Sequence, residues 1–142
     1  MNLRYVSAHV SEPHESHPCS AGAIQLLQCA AESVPLESGS QDVVYCIYLF
    51  HEMPVEAQRA SLREFSRLLK PGGLLVVTDS VQLGDRGILS GTLESFGNLN
   101  EPHFADYLQV DLGEEFRRVG LKPQLKCLQN VTKSVSAVKP LE

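Results

Sequence analysis

The sequence predicts an α/β fold built on a parallel sheet, and three observations carry the prediction. Leu68 to Gly73 reads as the end of a helix followed by a tight turn. Pro71 cannot continue a helix, and Gly72 and Gly73 reach backbone angles that other residues avoid. Leu74 to Val77 is then apolar without interruption, as in a strand covered on both faces, and it stops at Thr78, Asp79 and Ser80. A second run, Val43 to Phe50, has the length and the β-branched and aromatic content of another buried strand. Finally, residues 122–129 and 131–138 read as two strands joined by so short a link that they must run antiparallel. A helix that passes through a tight turn into a buried strand is one step of a doubly wound sheet. Such sheets bind ligands beyond the carboxyl ends of their strands.

The elements follow in chain order. Residues 1–22 differ in composition from the rest, with His9, His14 and His17 among Ser, Glu and Pro and Cys19 beside them. They are expected to form a disordered or unrelated leader, and the domain is expected over residues 23–142. Histidine and cysteine are zinc ligands, but these do not form a spaced ligand set, so no metal site is expected. Residues 24–29 read as a short strand and residues 30–36 as a turn. Glu37 to Gln41 is a polar loop, and Asp42 opens the strand that ends at Phe50. His51-Glu52-Met53-Pro54 closes it. Residues 55–69 are predicted helical, because Val55, Leu62, Phe65 and Leu69 fall near one face and Pro54 suits the first turn. Residues 80–105 form a long polar connection, the kind that is usually functional or mobile. Asp111, with Glu114 three residues on, has the spacing of a capping box, and Gly120 ends the helix that follows.

Bulk properties exclude several classes. A chain of 142 residues supports one domain, and 43% apolar with 20% charged residues is a globular balance. The net charge of -5 argues against nucleic acid as a partner, since phosphate binding needs clustered Lys and Arg. No apolar run is long enough to cross a bilayer, and Met1 to Tyr5 lacks the apolar core of a secretion signal. Cys19, Cys29, Cys46 and Cys127 form no C-x-x-C pair. Three sit in apolar surroundings and are expected to be free, buried, reduced thiols of a cytoplasmic protein.

The order of these pieces resembles the class I S-adenosylmethionine-dependent methyltransferases, especially the small-molecule branch called type 11. Residues 30–36, Ala-Ala-Glu-Ser-Val-Pro-Leu, look like the family's adenine-contacting loop after its third strand. Gln41-Asp42-Val43-Val44 looks like the opening of its fourth strand. Leu68 to Gly73 looks like the "L-K-P-G-G" before its fifth, and the closing pair looks like strands six and seven. The resemblance covers about residues 24–139. It implies a partial Rossmann-like methyltransferase sheet with equivalents of strands three to seven, strands one and two missing, and an antiparallel C-terminal pair. The family's glycine-rich cofactor loop and the acid that binds the ribose have no counterpart here, and Ala30 stands where many relatives have Asp.

What the resemblance implies for function is methyl transfer from S-adenosylmethionine to a small-molecule acceptor, impaired in this chain because the glycine-rich loop is absent. The alternative is a non-catalytic, methyltransferase-like binding module. Cofactor contacts are expected from Ala30, Ala31, Glu32 and Tyr48. Catalytic roles are expected of His51, Asp79 and His103, with Tyr107 in the covering connection. His51 suits a general base, because imidazole ordinarily titrates near neutrality; capping the next helix is its structural role. Without strands one and two, the fourth strand is expected to expose an edge. A dimer or a complementing chain would then pair with it, while residues 24–29 either detach or pair there themselves.

Overall fold

The structure is a computed structural model that describes residues 5–9, 24–86 and 101–141. Its main sheet has four strands in the order β3-β4-β6-β5. Strand β3 is Gln41–Ile47, β4 is Leu69–Ser80, β5 is Lys122–Gln129 and β6 is Thr132–Val138. β3 and β4 run parallel; β6 pairs antiparallel with both β4 and β5. The partial Rossmann-like sheet with an antiparallel closing pair is therefore present. A separate two-stranded sheet joins β1, Tyr5–His9, to β2, Ile24–Gln28. Residues 24–28 thus detach from β3 and pair with a segment inside the compositionally distinct stretch 1–22. His14, His17 and Cys19, and the middle of the long connection, lie outside the described residues.

Helix α1, Val55–Leu68, lays Leu62, Phe65 and Leu68 against the sheet. Leu62 and Phe65, together with Leu69, Leu75, Val77, Phe50, Met53 and Phe116, belong to the main core. Pro54 stands at the N-cap, as the sequence predicts. The turn at residues 71–73 is instead a bulge within β4, between the pairs Gln41/Leu69 and Val43/Leu74. Gly73 has no room for a side chain: a Cβ there would meet the Lys70 carbonyl at 2.9 Å and the Asp42 carbonyl at 3.2 Å. Gly72, at φ +79°, donates its N–H to the Lys139 carbonyl, so this bulge ties β4 to the end of the chain.

Strand β3 ends three residues before the expected Phe50. Tyr48 takes φ +45°, an uncommon angle for a residue with a side chain, and Phe50–Glu52 then turn as a 3₁₀ helix. After the connection come α2, Phe104–Tyr107, and α3, Leu112–Arg118. Asp111 caps α3, its carboxylate accepting from the Glu114 N–H, and Gly120 leaves the helix at φ +80°. Among the described cysteines the expectation of a buried thiol holds for Cys46: Cys29 is half-buried and Cys127 exposed, because β5 is an end strand whose residues mostly face solvent. All three are free.

Candidate active site at the ends of the parallel strands

Asp79 organises the site. It lies at the carboxyl end of β4 and is completely buried. One carboxylate oxygen accepts from the Phe50 N–H at 2.9 Å; the other accepts from His51 Nδ1 at 2.6 Å and from the Ser80 N–H at 2.7 Å. The strand β4 thereby grips the short turn that follows β3. Gln58 of α1 holds the same turn from behind, donating Nε2 to the carbonyls of Phe50 and Met53. A carboxylate can only accept, so the His51 proton sits on Nδ1 and its Nε2 lone pair is directed away from Asp79.

Aromatic rings surround the imidazole. Tyr48, Phe104 and Tyr107 meet it edge-on, with centroids 6.1, 6.1 and 6.3 Å away. Tyr107 is fully buried and donates its hydroxyl to the Ser80 carbonyl at 2.5 Å. Burial, reinforced by the charge of Asp79, pushes its phenol far up, so it remains a neutral donor. Tyr48 shares a hydrogen bond with Thr132 at the start of β6. Tyr45, Thr78 and Ser134 continue a row of hydroxyls across the sheet, at 3.0 and 2.7 Å.

His51, Asp79 and Tyr48 are thus brought together. His103 is half-buried at the N-cap of α2, beside Phe104; among the described residues no hydrogen bond joins it to His51 or Asp79. Ala30, Ala31 and Glu32 form a separate corner, with Ala31 in the core. That corner is fixed to α1 rather than to β3. Glu64 accepts from the Val34 N–H, while Arg67 donates to the carbonyls of Val34 and Leu36 and to Glu64. Sequence reasoning missed Gln58, Glu52 and Glu101. The last two lie within 4.8 Å of the His51 ring nitrogens and of each other, as judged by their ligand atoms. Only the adjacency of Glu52 to His51 was a signal in the sequence.

A cavity of about 520 Å³ lies elsewhere, under the loop after β4. Its polar lining is already paired. Asp85 bridges Lys126 and Lys133, and Lys133 also reaches Gln82. Burial alone would raise the Asp85 carboxyl. Lys126, the Gln82 N–H and Lys133 outweigh it and hold the group below the usual carboxylate range. Burial pushes the Lys133 ammonium down against the pull of Asp85. Gln82 Nε2 in turn donates to the Tyr107 carbonyl. This ion-pair knot is thereby tied to Tyr107, one of the rings around His51.

A half-open α/β sheet with a buried acid and an imidazole at its carboxyl edge defines a Rossmann-like enzyme or binding domain. The family model described as a methyltransferase domain matches residues 3–77, and the chain belongs to that family. It is 43% identical over 61 residues to the ubiquinone/menaquinone biosynthesis C-methyltransferase UbiE of Syntrophotalea carbinolica, a match covering 43% of this chain and 25% of that protein. Its fold is similar to a SAM-dependent methyltransferase of Methanosarcina mazei, with a TM-score of 0.59 at 16% identity over 79% of this chain and 65% of that one. It is also similar to a protein from a complex with the Trm112 methyltransferase activator of Haloferax volcanii. There the TM-score is 0.53 at 15% identity, over 79% of this chain and 59% of the other. The chain spans about a quarter of the length of the curated relatives it matches. No described helix is long and apolar enough to cross a membrane.

The described residues fit S-adenosylmethionine only in part. The corner at residues 30–36 presents backbone groups held in place by Glu64 and Arg67 of α1. Among the described residues, nothing forms a receptor for the ribose or for the amino-acid end.

Proposed function

We propose that this chain carries the acceptor side of a methyltransferase and that its crevice holds a small-molecule acceptor. One observation carries the reading: the 2.6 Å contact of His51 Nδ1 with buried Asp79, at the carboxyl end of the parallel strand pair. Asp79 fixes the ring and leaves Nε2 free to take a proton from an acceptor O–H or N–H. The exposed ring of Tyr48 offers a flat wall beside the imidazole, and the buried rings of Phe104 and Tyr107 back it from inside. His103, at the start of α2, serves as a second polar contact for the acceptor. S-adenosylmethionine supplies an activated methyl group when bound, so alignment accounts for most of the rate and proton removal for the remainder. Ala30, Ala31 and Glu32 contribute to its adenine end.

Cofactor affinity of the chain alone is expected to be weak, and the division into a leader, 1–22, and a domain, 23–142, belongs to the same proposal. A second copy or a complementing chain pairs with the open edge of β3. A neighbouring fold that occurs in complex with an activator supports that arrangement. A cytoplasmic location is part of the same proposal, supported by described cysteines that are not in disulfides. The second reading, a non-catalytic binding module, is favoured by the same open edge.

Calorimetric titration with S-adenosylmethionine tests the cofactor part; micromolar affinity for the isolated chain would show the impairment to be wrong. Labelled methyl transfer to a panel of small hydroxyl and amine acceptors, with a chain supplying a glycine-rich loop, tests the rest. His51→Ala should lower the rate by about 10²–10⁴. Unchanged turnover with lowered stability would make His51 a structural residue, and no transfer to any acceptor would favour the binding module.

A further inference from the structure

We infer that His51, Glu52 and Glu101 bind a divalent transition-metal ion at the mouth of the crevice. Their ligand atoms already lie within 4.8 Å of one another, so closure around an ion with bonds of about 2.0–2.2 Å needs only side-chain rotation. Glu52 Oε1 stands 3.5 Å from His51 Nε2. Glu52 is exposed and Glu101 and His51 half-buried, so an ion can enter from solvent.

Two further features favour a ligand set over a chance cluster. Asp79 holds Nδ1 from behind, and Nε2 is therefore presented outward in one orientation. A carboxylate on the far nitrogen is the support that metal-binding histidines generally have, because it fixes the ring and raises its basicity. Glu101 is also tethered. Its carbonyl accepts from the Phe104 N–H at 3.2 Å, and the Phe104 ring packs against His51. The two carboxylates therefore reach the imidazole from different segments of a packed structure.

One imidazole nitrogen with two carboxylates suits Mn²⁺, Fe²⁺ or Zn²⁺ better than Mg²⁺, which prefers oxygen alone. Three protein ligands leave open positions, so the ion would take an oxygen of a small molecule lying against the exposed ring of Tyr48. The ligand class is thus a molecule with a hydroxyl or carboxylate oxygen next to a flat apolar body. Nε2 has one lone pair, so a loaded chain activates that oxygen through the ion and an unloaded chain through the imidazole. The site needs only the crevice and not methyl transfer, and its test stands apart from the activity assay.

Mn²⁺ is the probe, because thiols such as Cys127 compete for it poorly. The whole chain, stripped with a chelator, is titrated with MnCl₂ by calorimetry and by loss of the free-ion paramagnetic resonance signal. One equivalent should bind at micromolar concentration. Glu52→Gln and Glu101→Gln lie on the surface and leave the buried Asp79 contacts in place. Each should weaken binding by roughly tenfold or more, within the range of about 10–100-fold seen when a metal site loses even an outer partner. His51→Ala should abolish it. Absence of binding below millimolar Mn²⁺, or binding that both glutamine variants leave unchanged, would overturn the assignment.

Discussion

Asp79 shows how one buried side chain can set both stability and chemistry. Its carboxylate closes three hydrogen bonds, two of them to backbone N–H groups, that of Phe50 buried and that of Ser80 part-buried. Leaving a buried donor unpaired costs about 1–3 kcal/mol for each group. Asp79→Ala should therefore lower the free energy of unfolding by at least that much, read as a drop in the denaturation midpoint. Asp79→Asn keeps an acceptor for one N–H and should lose less stability, yet it can donate to Nδ1 and so reverse the imidazole tautomer. The alanine variant tests the fold and the asparagine variant the chemistry; equal midpoints for both would mean that Asp79 does not hold the turn. Tyr48 adds the second residue-scale constraint. Its φ of +45° is a strained angle, and it places the ring over His51 rather than along the sheet.

Elements are held to one another by charge as well as by apolar contact. The corner at residues 30–36 is fastened to α1 by Glu64 and Arg67, and α1 to α3 by the two-pronged pairing of Arg59 with Glu115. The Arg67 guanidinium, with help from the Val34 N–H, outweighs burial and holds the Glu64 carboxyl below its usual range. Because the folded value is the lower one, Glu64 contributes stability above the ordinary glutamate range, and that contribution is lost as pH falls through the folded value. Stability of the natural chain should thus decline below about pH 4.3 partly through Glu64. In Glu64→Gln the unfolding midpoint should be lower at pH 7 and fall less steeply with acid. An identical acid slope would remove Glu64 from the account. Local signals were enough to read these elements: the apolar runs gave β3 and β4, Asp111 with Glu114 gave the cap, and the short link gave the β5–β6 pair. What the sequence hid was non-local. The grip of Asp79 on Phe50 and His51 spans some thirty positions, and the approach of Glu101 to His51 spans fifty. Neither leaves a periodicity. The pairing of β1 with β2 was hidden for the same reason, since a five-residue strand in a polar segment has no pattern of its own.

At the scale of the molecule, the described residues close the sheet on one side only. Helices α1 and α3 cover the face that carries Cys46, Val77, Val135 and Ala137, all buried. The opposite face exposes Val43, Tyr45 and Ile47 of β3 by 56, 56 and 54%. β3 is also an end strand of its sheet among the described residues, so its outer N–H and C=O groups are free to pair. Proteins usually guard such an edge with lysine, proline or a sharp bulge. Here no charge interrupts Val43 to Ile47, and the one irregularity lies at Gln41/Val43, before the apolar stretch. The apolar positions 43, 45 and 47 are symmetric about Tyr45. An antiparallel pairing centred there sets Val43 of one chain against Ile47 of another and produces one continuous apolar stripe. Edge pairing of this kind is the expected form of association, whether the second strand comes from a copy or from a complementing chain. Sedimentation of the purified chain should show a concentration-dependent dimer or larger species. Val43→Lys, which places a charge on the exposed face without touching α1 or the His51 crevice, should shift the chain to monomer. Its unfolding midpoint should change by no more than about 0.5 kcal/mol, as for a surface substitution away from any special feature. A natural chain that stays monomeric at high concentration would place the cover of this face elsewhere; a lysine variant that associates as before would exclude β3 as the edge.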